Sequence, residues 1–138
     1  PTREEVRRFF CDAWKKKTEN HILTPMETLA SDWMTQHPEY HNLLSNPEDA
    51  LTQDYTPERG ETNPFLHLSM HLSISEQISI NQPPGIKELA EKLTKKLGSE
   101  HEAQHLMMEC LGQVMWEAQR EGEALNPEKY LEALKKLV

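Results

Sequence analysis

Thr24-Pro25, Asn46-Pro47, Asn63-Pro64 and Asn126-Pro127 each set a helix-capping residue directly before a proline. A Thr or Asn side chain accepts hydrogen bonds from the unpaired N–H groups of a first helical turn. Proline fits the first helical position because the N–H it lacks would be unpaired there anyway. Two more starts use the capping-box spacing, Thr2 with Glu5 and Ser99 with Glu102. Apolar stripes of period 3.6 follow these starts. The first holds Val6, Phe9, Phe10, Ala13 and Trp14, and the second holds Met26, Leu29, Ala30, Trp33 and Met34 and runs on to His37. Pro38 breaks or restarts that second helix. Asn63 opens a long helix to about Ile80, and "NQPPG" at 81 to 85 separates it from Ile86, Leu89, Ala90, Leu93 and Leu97. Gly98 and Gly122 act as stops, with a helix from Ser99 to about Glu121 between them. Tyr130, Leu131, Leu134 and Leu137 form the last stripe.

"SISEQISI" comes nearest to the alternation of a strand, but it lies inside the Asn63 helix and fits period 3.6 as well. The expectation is an all-α single domain over 1–138. It is a bundle of five longer helices plus one or two short ones between Pro38 and Gly60, with a loop over residues 52 to 63. At 138 residues the chain is long enough for one modest core.

Composition narrows the function classes. A net charge of −8 argues against sequence-independent nucleic-acid binding, which needs a basic face. The one basic run, Lys15 to Lys17, reads as a solvated helix end. No apolar run approaches membrane-spanning length, and no basic-then-apolar stretch opens the chain, so neither a transmembrane helix nor a leader is expected. Cys11 and Cys110 lie far apart on apolar helical faces, which suits reduced core thiols in a cytoplasmic protein.

The histidines carry the strongest chemical signal. There are seven, and six fall in pairs at i, i+4: "HPEYH", "HLSMH" and "HEAQH". Random placement would give only about 0.3 such pairs. This spacing puts two imidazoles on one helical face, able to reach a single metal ion. His67 and His71 share a stripe with Ile74 and Ile78 and so point into apolar surroundings, where a metal and a carboxylate would satisfy both ring nitrogens. His37 also lies in an apolar stripe, while Pro38 leaves the direction of His41 open. His101, His105 and Glu109 form a chelating stripe, but on the side of their helix opposite Ala103, Met107, Cys110, Leu111, Val114 and Ala118. The candidate metal ligands are therefore His67, His71, His101, His105, Glu109 and His37, for zinc or iron. His21 is unpaired in a loop.

"HEAQH" also matches the H-E-x-x-H signature of zinc peptidases. Three things count against that reading. Ser99 and Glu102 form a capping box, so the carboxylate is expected to fold back on the Ser99 amide. The motif opens its helix on a polar face. No strand is expected along which a peptide could align. Catalytic Ser or Cys constellations, a Walker A loop and G-x-G-x-x-G are absent from the sequence.

The stretches "VRRFF", "HPEYH", "DYTPERGETNPFLHLSMHL", "QPPGI" and "HEAQHLMMECLG" resemble an uncharacterised proteobacterial family of small proteins, known as a domain of unknown function. The resemblance spans nearly the whole chain. It implies a bacterial, cytoplasmic protein and carries over no functional residue. The resulting expectation is a helical protein that binds a transition metal through helix-borne His pairs. The alternative is a non-enzymatic interaction module whose acidic surface or Met-rich groove docks a protein partner, and an H-E-x-x-H metallohydrolase is a minor third.

Overall fold

A computed structural model describes residues 1–55 and 63–138. It is 76% helical, with eight α-helices and no strand among the described residues. They are α1 (Arg3–Thr18), α2 (Pro25–Thr35), α3 (His41–Leu44), α4 (Pro47–Thr52), α5 (Pro64–Ile80), α6 (Ile86–Leu97), α7 (Glu100–Arg120) and α8 (Pro127–Lys135). A 3-10 turn over Pro38–Tyr40 joins α2 to α3. The short pieces after Pro38 are thus the turn, α3 and α4. Of the loop expected over 52 to 63, Thr52 ends α4, residues 53–55 and 63 are non-helical, and 56–62 lie outside the described residues. The chain forms two compact units, Pro1–Leu72 and Ser73–Val138.

In the first unit the start signals work largely as the sequence implies. At α2 the reciprocal box is complete: Glu27 N donates to Thr24 Oγ1 at 3.1 Å and Thr24 N donates to Glu27 Oε1 at 2.9 Å. At α1 the structure shows the first half, Glu5 N donating to Thr2 Oγ1 at 3.1 Å. Asn63 Oδ1 accepts from Phe65 N and Leu66 N at the head of α5. Asn46 makes no side-chain cap, and its amide nitrogen donates to Asn42 O at 2.6 Å.

The first core gathers Phe10, Cys11, Ala13 and Trp14 of α1, Ala30, Trp33 and Met34 of α2, Leu44, Ala50, and Phe65 and Leu68 of α5. Truncating a buried Phe or Trp of this kind costs about 3–5 kcal/mol, so these aromatics dominate the unit's stability. The short α4 is held from outside. Arg7 is buried on α1 and donates to Ala50 O at 2.8 Å and Gln53 O at 2.7 Å, and Arg3 pairs with Asp54 at 2.8 Å.

The second unit holds the last turns of α5 with α6, α7 and α8. The stripes mark most of its buried apolar residues: Ile86, Leu89, Ala90 and Leu93 of α6, Ala103, Met107, Leu111 and Val114 of α7, and Tyr130 and Leu134 of α8. Met108, on no stripe, is buried as well, and the stripe residue Leu97 is exposed while Cys110, Ala118, Leu131 and Leu137 are half-buried. Gln104 Nε2 donates to Ser75 Oγ at 3.0 Å, and the Tyr130 hydroxyl donates to Gln77 Oε1 at 3.2 Å. Burial pushes that phenol well above its usual range, so it stays a neutral donor. Among the described residues, no helix is long and apolar enough to cross a membrane. Both cysteines are free, Cys11 buried and Cys110 half-buried.

Candidate metal centre

The site in the first unit begins with α5. His67 and His71 stand one turn apart, so their rings meet at 4.7 Å between centroids and 84° between planes. His71 is fully buried, and His67 is half-buried. Trp33 from α2 lies flat on His71, with centroids 4.0 Å apart and planes 11° apart. The indole covers one face of the ring and fixes its plane.

The third imidazole arrives from a turn. α2 ends at Thr35, and the residue before a proline is pushed out of the helical region. His37 takes φ −123° and ψ 68°, so it does not belong to the α2 helix whose stripe it continues in sequence. The residue is nonetheless only 4% exposed, and its side chain turns inward. Nε2 of His37 lies 3.3 Å from Nε2 of His71, and the His37 ring stands 4.8 Å from that of His67. One ring nitrogen from each of His37, His67 and His71 falls within 4.8 Å of the others.

Two groups from the same turn hold His37. Glu39 Oε2 sits 3.0 Å from Nδ1, and the Tyr40 ring stacks at 5.1 Å and 8°. A carboxylate accepts, so Nδ1 is the donor to Glu39, and in the neutral ring Nε2 is the nitrogen that can ligate. Burial, with a smaller contribution from Glu39, raises the Tyr40 pKa, so the phenol stays neutral. The arrangement therefore offers a ligand atom on an oriented ring, aimed at a second buried imidazole.

The three sequence pairs have different fates. "HLSMH" supplies two members of the group. "HPEYH" is divided by its proline: His37 joins, while His41 Nε2 donates to Met34 O at 2.7 Å and its ring stacks on Trp14 at 4.2 Å. His41 is a structural histidine. In the second unit, His101 and His105 of α7 approach to 4.3 Å between centroids, both half-buried, and Glu109 is exposed. Among the described residues His101, His105 and Glu109 do not close into a three-ligand group of their own. Glu102 is exposed in the first turn of α7, and its N–H donates to Ser99 Oγ at 3.1 Å. That is the first half of the expected capping box. His21 is exposed in the segment between α1 and α2.

Sequence reasoning did not find Glu39, Trp33 or Tyr40. Glu39 and Tyr40 were readable only through the turn that Pro38 imposes. Trp33 had no signal beyond its place on an apolar stripe.

The fold and this group define an all-α protein with a buried cluster of histidines. The chain belongs to the family described as a domain of unknown function (DUF1841), whose model matches residues 2–136. Nothing matches among curated proteins or among solved structures.

Proposed function

We propose that the protein binds a transition-metal ion, Zn²⁺ first and Fe²⁺ second, through His37, His67 and His71. The observation that carries the reading is the 3.3 Å between Nε2 of His37 and Nε2 of His71. Two nitrogens bound at about 2.0–2.1 Å to a tetrahedral ion stand about 3.3 Å apart. Imidazole donors suit zinc and iron alike. The third ring closes the set, and the aromatic shelves of Trp33 and Tyr40 keep two of the rings in place. Three imidazoles leave at least one position, which a catalytic site keeps open and a structural site closes. The sequence's other candidates, His101, His105 and Glu109, are the side chains to substitute in search of a further ligand.

Metal analysis of untagged protein tests the reading. Near-stoichiometric metal is expected, with His67→Ala plus His71→Ala removing it and His21→Ala retaining it. At a free ion concentration 100 times Kd the folded state gains about 2.7 kcal/mol, roughly 9 °C in Tm for a chain of this length. Chelation should reverse that gain. Protein that purifies without metal, takes up neither ion and keeps its Tm on their addition would refute the proposal.

A further inference from the structure

Resting on that reading, we propose that Glu39 is the positioning residue of the centre, holding the His37 ring for the ion and placing a negative charge against that ring. Pro38 opens the 3-10 turn, and Tyr40 N donates to His37 O at 2.9 Å to close it. A turn this tight brings the side chain two residues on back over the first residue. Glu39 Oε2 thus reaches His37 Nδ1 at 3.0 Å while Tyr40 stacks on the same ring. Four consecutive residues therefore supply a ligand, its turn, its orienting carboxylate and its aromatic shelf.

His37 needs this more than its neighbours do. His67 and His71 are carried by one long helix, whereas His37 hangs from a turn beyond the end of α2. A ligating histidine commonly gives its other N–H to a carboxylate, which fixes the tautomer and makes the ligating nitrogen more basic. Charge points the same way. Three neutral imidazoles bring no negative charge to a dication in a buried site, and an uncompensated buried charge is costly. The Glu39 carboxylate is 59% exposed, so it stays hydrated while facing the ring that would touch the ion. It balances charge without being buried itself.

The test compares wild type, Glu39→Gln and Glu39→Ala in the full chain. Zn²⁺ affinity and the Co²⁺ ligand-field spectrum are read alongside ¹⁵N NMR of the His37 ring. Glu39→Ala should weaken Zn²⁺ about 10–100-fold, shift the Co²⁺ bands and mix the His37 tautomers, while the metal-free Tm barely moves. Glu39→Gln still offers an oxygen to Nδ1–H, so it should restore the single tautomer and recover part of the affinity. Wild-type protein that binds Zn²⁺ while Glu39→Ala binds it equally well, with one unchanged His37 tautomer, overturns the inference alone. Wild-type protein that binds neither ion overturns the metal reading and this inference with it.

Discussion

Glu27 shows how much one carboxylate can hold. It accepts from Lys16 Nζ at 2.9 Å and from Thr24 N at 2.9 Å, so it fastens the end of α1 to the start of α2. The Lys16 bond first, and the Thr24 amide second, draw its pKa below the usual carboxylate value. The folded-state pKa is thus lower than the unfolded one of about 4.3. Its contribution is fully present above that unfolded value and is lost as pH falls through the folded one. Urea midpoints taken between pH 6 and pH 2 should show wild type losing its advantage over Glu27→Gln as acid is added. Parallel curves would show that the pair contributes nothing pH-dependent. The same residue-level logic separates His37 from His41. Both sit in "HPEYH", yet one ring faces imidazoles and the other a backbone carbonyl. Sequence could mark His37 as buried from the apolar pattern around it. It could not show which way either ring turns once Pro38 ends the helix, and so Glu39 stayed hidden.

Helices announce themselves locally, which is why most of their starts were legible. An N-cap, a first-turn proline and a stripe lie within a few residues of one another, and α2, α5 and α8 begin where those signals fall. The pair His67 and His71 was legible for the same reason, since helical period alone puts both on the face of Ile74. What depends on a distant partner was not legible. α4 has six residues, too few to persist by helix propensity, and its C-terminal carbonyls are caught by Arg7 from α1. Each charge-assisted bond of that kind contributes roughly 1.5–3 kcal/mol. Arg7→Met keeps the length and loses both bonds. It should cost about 3 kcal/mol in urea denaturation and strip hydrogen-exchange protection from residues 50–53 first. Unchanged protection there would assign α4 to packing alone. In the second unit Asn81 plays the remote cap for α6, its Oδ1 accepting from Gly85 N and Lys87 N at 3.1 Å each. Asn81 adopts φ 52°, and Gly85, the N-cap position, has no side chain to offer. Asn81→Ala is expected to lower stability by about 1 kcal/mol, the ordinary value of a lost cap, and to fray the first turn of α6 in amide exchange. A loss no larger than a few tenths would leave the turn backbone as the cap.

At the scale of the whole chain, the division between the two units falls inside a helix. α5 runs unbroken from Pro64 to Ile80, while the first unit ends at Leu72 and the second begins at Ser73. A loop at that point would let each half open independently. A continuous helix instead transmits order, because breaking it means giving up successive i to i−4 bonds in the middle of a run already nucleated on both sides. The helix therefore has two roles, carrying His67 and His71 in its first half and Ser75 and Gln77 in its second. Ser73 is exposed, so substituting it disturbs no packing and isolates the backbone term. Ser73→Pro removes one helical hydrogen bond and clashes with the preceding turn, a penalty of about 3 kcal/mol. Ser73→Ala should stay within roughly 0.5 kcal/mol of wild type, since alanine favours a helix interior. Hydrogen exchange in rising urea reads α1 and α8 separately. In wild type and Ser73→Ala both are expected to open together, as one cooperative transition. In Ser73→Pro they should open at different urea concentrations. If α1 and α8 still open together in the proline variant, cooperativity does not pass through α5.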